Sequence, residues 1–129
     1  MFNRRRQTEA SLRSTERRQR EDEAPRLKDE IQGLTELCLE IEERVGDSGS
    51  VASRYVRRIP VASAPAMFEI QCGEDRCNDG GHDLTREIMR ELASASVEFN
   101  GEDACYGRLG QGSGTCGRVL SYVGRAKYR

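Results

Sequence analysis

Between Ala24 and Val45 apolar residues recur at alternating steps of four and three: Leu27, Ile31, Leu34, Cys38, Ile41 and Val45. That spacing is a heptad seam, and it predicts an amphipathic helix over 23–46, with Leu37 and Leu39 widening the stripe. Glu23, Lys28, Glu30, Glu42 and Arg44 flank the seam. Gly33 weakens such a helix by about 1 kcal/mol relative to Ala. Gly46 to Ser50 ends it, and 47–53 reads as a flexible linker. An apolar stripe of this kind has to be covered. It packs on the protein's own domain, or it forms a short coiled coil with a second copy or docks a protein partner.

Beyond the linker the period changes to two. Arg54 to Val61 is rich in Val and Ile and reads as a strand, and 62–65 as a turn. From Ala66 to Cys72 the pattern alternates, with Phe68, Ile70 and Cys72 on one face. Asp79 to Gly81 is a turn, and Asp83 suits the N-cap of a helix carrying Leu84, Ile88, Met89 and Leu92. A short strand over 97–100, a Gly-rich loop over 106–115 and a last strand from Val119 to Tyr128 follow. Residues 54–129 thus read as a small α+β domain in the order β-β-α-β-β. Ahead of the seam, residues 1–22 have almost no apolar positions, Leu12 standing nearly alone. They read as a basic, mobile segment and, with the seam, as a charged helical arm.

Composition limits what such a chain buries. Charged residues make up 33% of it and apolar ones 36%, and it has no Trp. A lean core of this size calls for a supplement, and a metal or disulfides are the usual ones. Net charge is −1 but unevenly placed. Residues 1–20 carry a balance of +5, residues 21–45 one of −6, and residues 46–129 are balanced. There is no secretory-type apolar stretch after the basic start and no run long enough to span a membrane, which predicts a cytoplasmic protein.

In that setting structural disulfides are uncommon, and five cysteines are an odd number. Cys72 and Cys77 flank a four-residue spacer at a strand end, a spacing that points two thiolates at one ion. Cys105 and Cys116 flank a ten-residue spacer that contains four glycines and is able to fold back. Together the two pairs offer four thiolates to one zinc ion. His82, the only histidine, is an alternative ligand, or a group that bonds to a ligand sulfur. The competing readings of the cysteines are plain core packing, which also suits Cys38, and disulfides. In general form, two cysteine turns around a ββ-α-ββ unit resemble the zinc-ribbon and zinc-knuckle class.

Other chemistry is poorly served. Glu74, Asp75, Asp79 and Asp83 lack the alternation of an EF-hand loop, and the glycines from Gly101 to Gly117 lack a P-loop Lys-Ser/Thr pair. Cys77 with His82 has no evident third group to make a nucleophile–base pair. These absences favour a non-enzymatic, zinc-stabilised binding or adaptor module, whose arm serves dimerisation or partner docking. A thiol-based redox or metal sensor is the alternative from a different class. A third reading is nucleic-acid association, or contact with an acidic surface, through Arg4, Arg5, Arg6, Arg17, Arg18 and Arg20.

Overall fold

In the computed structural model, which describes residues 15–78, 80–110 and 114–129 (Asn78 by its backbone alone), the stretch predicted as one helix over 23–46 divides at Gly33. Residues 15–23 are helical (α1), and a single turn, α2, spans Leu27–Glu30. Gly33 has a φ of +91°, a left-handed conformation that ends the turn and redirects the chain. From there Leu34–Arg44 is a strand, β1. The reason lies in its alternation: Leu37, Leu39, Ile41 and Glu43 are buried, while Glu36 and Glu40 between and before them are exposed. A strand sends successive side chains to opposite faces.

The segment predicted as a linker is the turn of a hairpin. Val45 and Ser50 are joined by a backbone hydrogen bond, and Val51–Ile59 returns as β2, antiparallel to β1. Residues 54–129 are therefore not a separate unit. β1 lies inside a four-stranded antiparallel sheet of order β2-β1-β8-β6, where β6 is Glu98–Ala104 and β8 is Val119–Tyr128. The last strand has the bounds expected from sequence; the strand expected at 97–100 extends to Ala104.

One face of this sheet carries the core. Leu37, Leu39 and Ile41 of β1 cluster there with Phe99 of β6 and Leu120, Tyr122 and Ala126 of β8. The helix α3, Thr85–Ala93, adds Ile88 and Leu92, and Leu84 precedes it. Burying such a side chain is worth about 1.5–3 kcal/mol. Asp83 accepts the N–H of Thr85 (3.1 Å), and the Thr85 hydroxyl accepts that of Phe68 (2.8 Å), so the helix start is tied to the segment before it. Phe99 closes over Gly124, where an added Cβ would lie 2.2 Å from its ring. The opposite face is polar, with Glu36–Lys127 (3.2 Å) and Glu42–Arg54 (2.7 Å) pairs across its strands.

The predicted seam is thus divided. Leu27, Ile31, Leu34 and Ile41 are buried in the protein's own core; Cys38 sits half-buried on the polar face, and Val45 is exposed past the strand end. Of the occupants expected for the stripe, the protein's own core is the one found for the four buried residues, and no coiled-coil helix forms there. The N-terminal arginines Arg4, Arg5 and Arg6 lie outside the described residues. Arg17, Arg18 and Arg20 are on α1, where Arg20 reaches Glu69 at 3.0 Å. Among the described residues, no helix is long and apolar enough to cross a membrane.

Candidate metal centre

Two loops build the site, one from a two-stranded sheet and one from the end of β6. The first follows β3, Glu69–Ile70, which pairs with β5, His82–Asp83. Cys72 begins it, and the N–H of Cys77 bonds to the Glu74 carbonyl (3.0 Å), closing the turn between the two cysteines. The second follows β6. The described flanks of its spacer pair with each other: Cys105 N–H donates to the Arg118 carbonyl (2.7 Å), Cys116 N–H to that of Gly107 (2.7 Å) and Leu109 N–H to that of Gly114 (3.0 Å). Cys105 and Cys116 therefore stand side by side. Short strands then join the loops, β4 (Cys77–Asn78) pairing with β7 (Arg108–Leu109). Gly110 N–H adds a bond to the Arg76 carbonyl at 2.7 Å.

This docking brings the sulfurs of Cys72, Cys77, Cys105 and Cys116 within 4.8 Å of one another. The sulfurs of Cys72 and Cys116 are 3.4 Å apart and those of Cys77 and Cys105 3.6 Å, and none of the five cysteines is in a disulfide. Four sulfurs at about 2.3 Å from one tetrahedral ion are about 3.8 Å from each other. The two shortest spacings are close to that value. Gly80 makes room for it, since a Cβ there would fall 2.1 Å from the Cys77 sulfur and 2.5 Å from that of Cys105.

The environment prepares the sulfurs unequally. Burial, then the neighbouring thiols of Cys116 and Cys105, push the Cys72 thiol well above its ordinary range. Burial and the same crowding push Cys77 up to about 11. At Cys105, burial acts upward but is outweighed by backbone N–H groups of Gly107 and Gly81 that bond to its sulfur, and the thiol ionises more readily than a free one. Cys72 receives a similar N–H from Glu74. In each loop the N–H two residues past the leading cysteine is turned onto its sulfur, an arrangement that stabilises thiolates.

A charged network clamps the two loops. Glu43, buried on β1, accepts the Gly73 N–H (3.1 Å) and the Arg118 guanidinium (3.0 Å). Arg118 also donates to Glu74 (3.2 Å). Burial works against Arg118's charge, but the Glu74 and Glu43 carboxylates and the Cys72 sulfur outweigh it and hold the guanidinium protonated more firmly. A cation thus sits beside a site that becomes dianionic when four thiolates hold a divalent ion.

His82 is not in the sulfur group. Pairing of β5 with β3 turns its side chain into the body of the protein, where its Nδ1 lies 2.7 Å from Asp103 Oδ2. Nε2 is buried and makes no hydrogen bond among the described residues. The histidine stands outside the four-sulfur group that the two loops form. The bond to Asp103 instead anchors β6 two residues before Cys105. Glu43, Arg118, Asp103 and Gly80 went unmarked in the sequence. The one visible signal was a carboxylate at the last inward position of the alternating Leu37, Leu39, Ile41, Glu43 series.

The chain matches no protein-family model, no curated protein and no solved structure.

Proposed function

We propose that Cys72, Cys77, Cys105 and Cys116 hold one zinc ion as the structural centre of a non-enzymatic binding module. The observation that carries this is the convergence of four sulfurs from two loops within 4.8 Å. Four thiolates fill zinc's coordination and leave no position for water or substrate, which is the donor set of structural rather than catalytic sites. Zinc suits it better than calcium or magnesium, which take oxygen ligands. The groove beside the cluster, lined by Arg17, Arg20, Glu69, Glu74 and His82, is open and of mixed charge, a surface for a partner rather than an enclosed reaction chamber.

The sensor reading is less well supported. Cys72 and Cys77 are held as thiols when metal-free, and thiols oxidise more slowly than thiolates. Elemental analysis of protein purified under reducing conditions, with titration of its thiols, tests the assignment. About one equivalent of zinc with four slow-reacting thiols is expected. Protein holding under about a tenth of an equivalent, and just as stable in a chelator, overturns it.

A further inference from the structure

The four-stranded sheet ends in two free edges of opposite charge. β2, nine residues long, carries Arg54, Arg57 and Arg58 and no acid. β6, at the other end of the sheet, carries Glu98, Glu102 and Asp103 and no base. Among the described residues each pairs with one neighbour only, β2 with β1 and β6 with β8. The outward backbone groups of an edge strand are a template for another strand. Charge on an edge ordinarily blunts it against copies of itself. Here the blunting is selective: β2 against β2 sets arginine on arginine, β6 against β6 sets acid on acid, and only β2 against β6 sets unlike charges together.

The topology permits that pairing without distortion. All three contacts in β2-β1-β8-β6 are antiparallel, so β2 and β6 run in opposite directions. A second copy translated across the sheet therefore lays its β2 antiparallel to the first copy's β6, with both core faces on the same side. The register carries over as well. Arg58, Cys38, Arg125 and Glu98 share one rung, and Arg54, Glu42, Ser121 and Glu102 another. Extending the rungs sets Glu98 opposite Arg58 of the second copy and Glu102 opposite its Arg54, all on the polar face. Arg58 has no ion pair within its own chain among the described residues, and its side chain is exposed.

We infer that this protein associates with itself head to tail, β2 of one copy adding to β6 of the next and extending the antiparallel sheet. The contact is heterologous, so it propagates until the sheet's twist closes it or growth stops. An acidic peptide would satisfy β2 alone; a second copy satisfies both edges. The inference does not depend on the metal, since neither pair of facing residues touches the cysteine loops.

Sedimentation velocity of the full, zinc-loaded chain tests it. At about 20 mM salt the average mass should rise with protein concentration, and it should return to that of a monomer at about 500 mM, where exposed charges are screened. Arg54→Glu with Arg58→Glu should be monomeric, and so should Glu98→Arg with Glu102→Arg. Mixed in equal amounts, the two should associate again. Circular dichroism and zinc content verify that each variant folds. Arg58→Glu alone, which breaks no ion pair of its own chain, serves if the double variant does not fold, and should weaken association at least about tenfold. A wild-type monomer throughout at low salt, charge-reversed variants that associate like the wild type, or a mixture that stays monomeric would each overturn the inference. So would a monomer that binds only an acidic peptide or an oligonucleotide.

Discussion

Glu43 occupies a position that the alternation of β1 reserves for an apolar side chain, and it is 3% exposed. A carboxylate there is tolerated because two donors converge on it: the Gly73 N–H and the Arg118 guanidinium, which is shared with Glu74. Removing one member of a buried charged pair leaves the other unpaired, at a cost of about 3–5 kcal/mol. Glu43→Gln keeps the shape and loses the charge, so we expect roughly 2–3 kcal/mol of lost stability, somewhat below that range because Arg118 keeps its bond to Glu74. Zinc affinity should fall about ten- to a hundredfold, since the residue orients a ligand loop without touching the metal. Denaturant titration and competition with a chromophoric chelator measure the two. Glu40→Gln is the control: Glu40 pairs with Arg125 on the polar face with both side chains about half exposed, and its loss should cost under about 1 kcal/mol.

At the scale of elements, β1 decides the fold. A helical seam and a strand predict different outcomes for neighbouring residues. In a strand, Leu39→Ala empties the core and should cost about 2–5 kcal/mol, while Cys38→Ser on the polar face should stay within about 1 kcal/mol. Thermal unfolding of the two variants reads the difference, and similar losses for both would contradict the strand. The sequence held both periods at once. Leu27, Ile31, Leu34 and Ile41 satisfy steps of three and four, while Leu37, Leu39 and Ile41 satisfy steps of two. Local pattern could not choose, because β1's choice depends on β8, whose paired residues lie 75 to 94 positions further along the chain. Gly33 was the deciding local residue, and its helix penalty understated a left-handed turn. The last strand was legible in full because it offers no competing period. The cysteines were legible by spacing alone, but their clamp was not, since Glu43, Arg118 and Asp103 belong to segments that only the folded sheet brings together.

For the molecule as a whole, the core and the cysteine site are distinct sources of stability. The apolar cluster lies along the sheet and α3, whereas the sulfurs gather beyond the ends of β6 and β8. Removing metal should therefore not unfold everything. We expect a chelator to release amide protection across 72–80 and 105–117 while Leu39 and Leu120 remain protected, as read by hydrogen exchange. Uniform loss of protection would mean that the sheet cannot stand without the metal, as the composition alone suggested.

The pairing of β1 with β8 also governs how the chain reaches this state. β1 and β2 are joined by a short hairpin that can form at once, on the order of microseconds. The other side of β1 stays bare until Val119–Tyr128 arrives, because β8 supplies every contact from Leu34↔Tyr128 to Arg44↔Val119. A central strand whose second partner comes from the far end of the chain raises the contact order, and such chains fold in milliseconds to seconds rather than microseconds. Throughout that wait Leu37, Leu39 and Ile41 are exposed on an unfinished ribbon. A ribosome-bound or truncated chain ending before β8 is accordingly the form most exposed to chaperones and to misassembly.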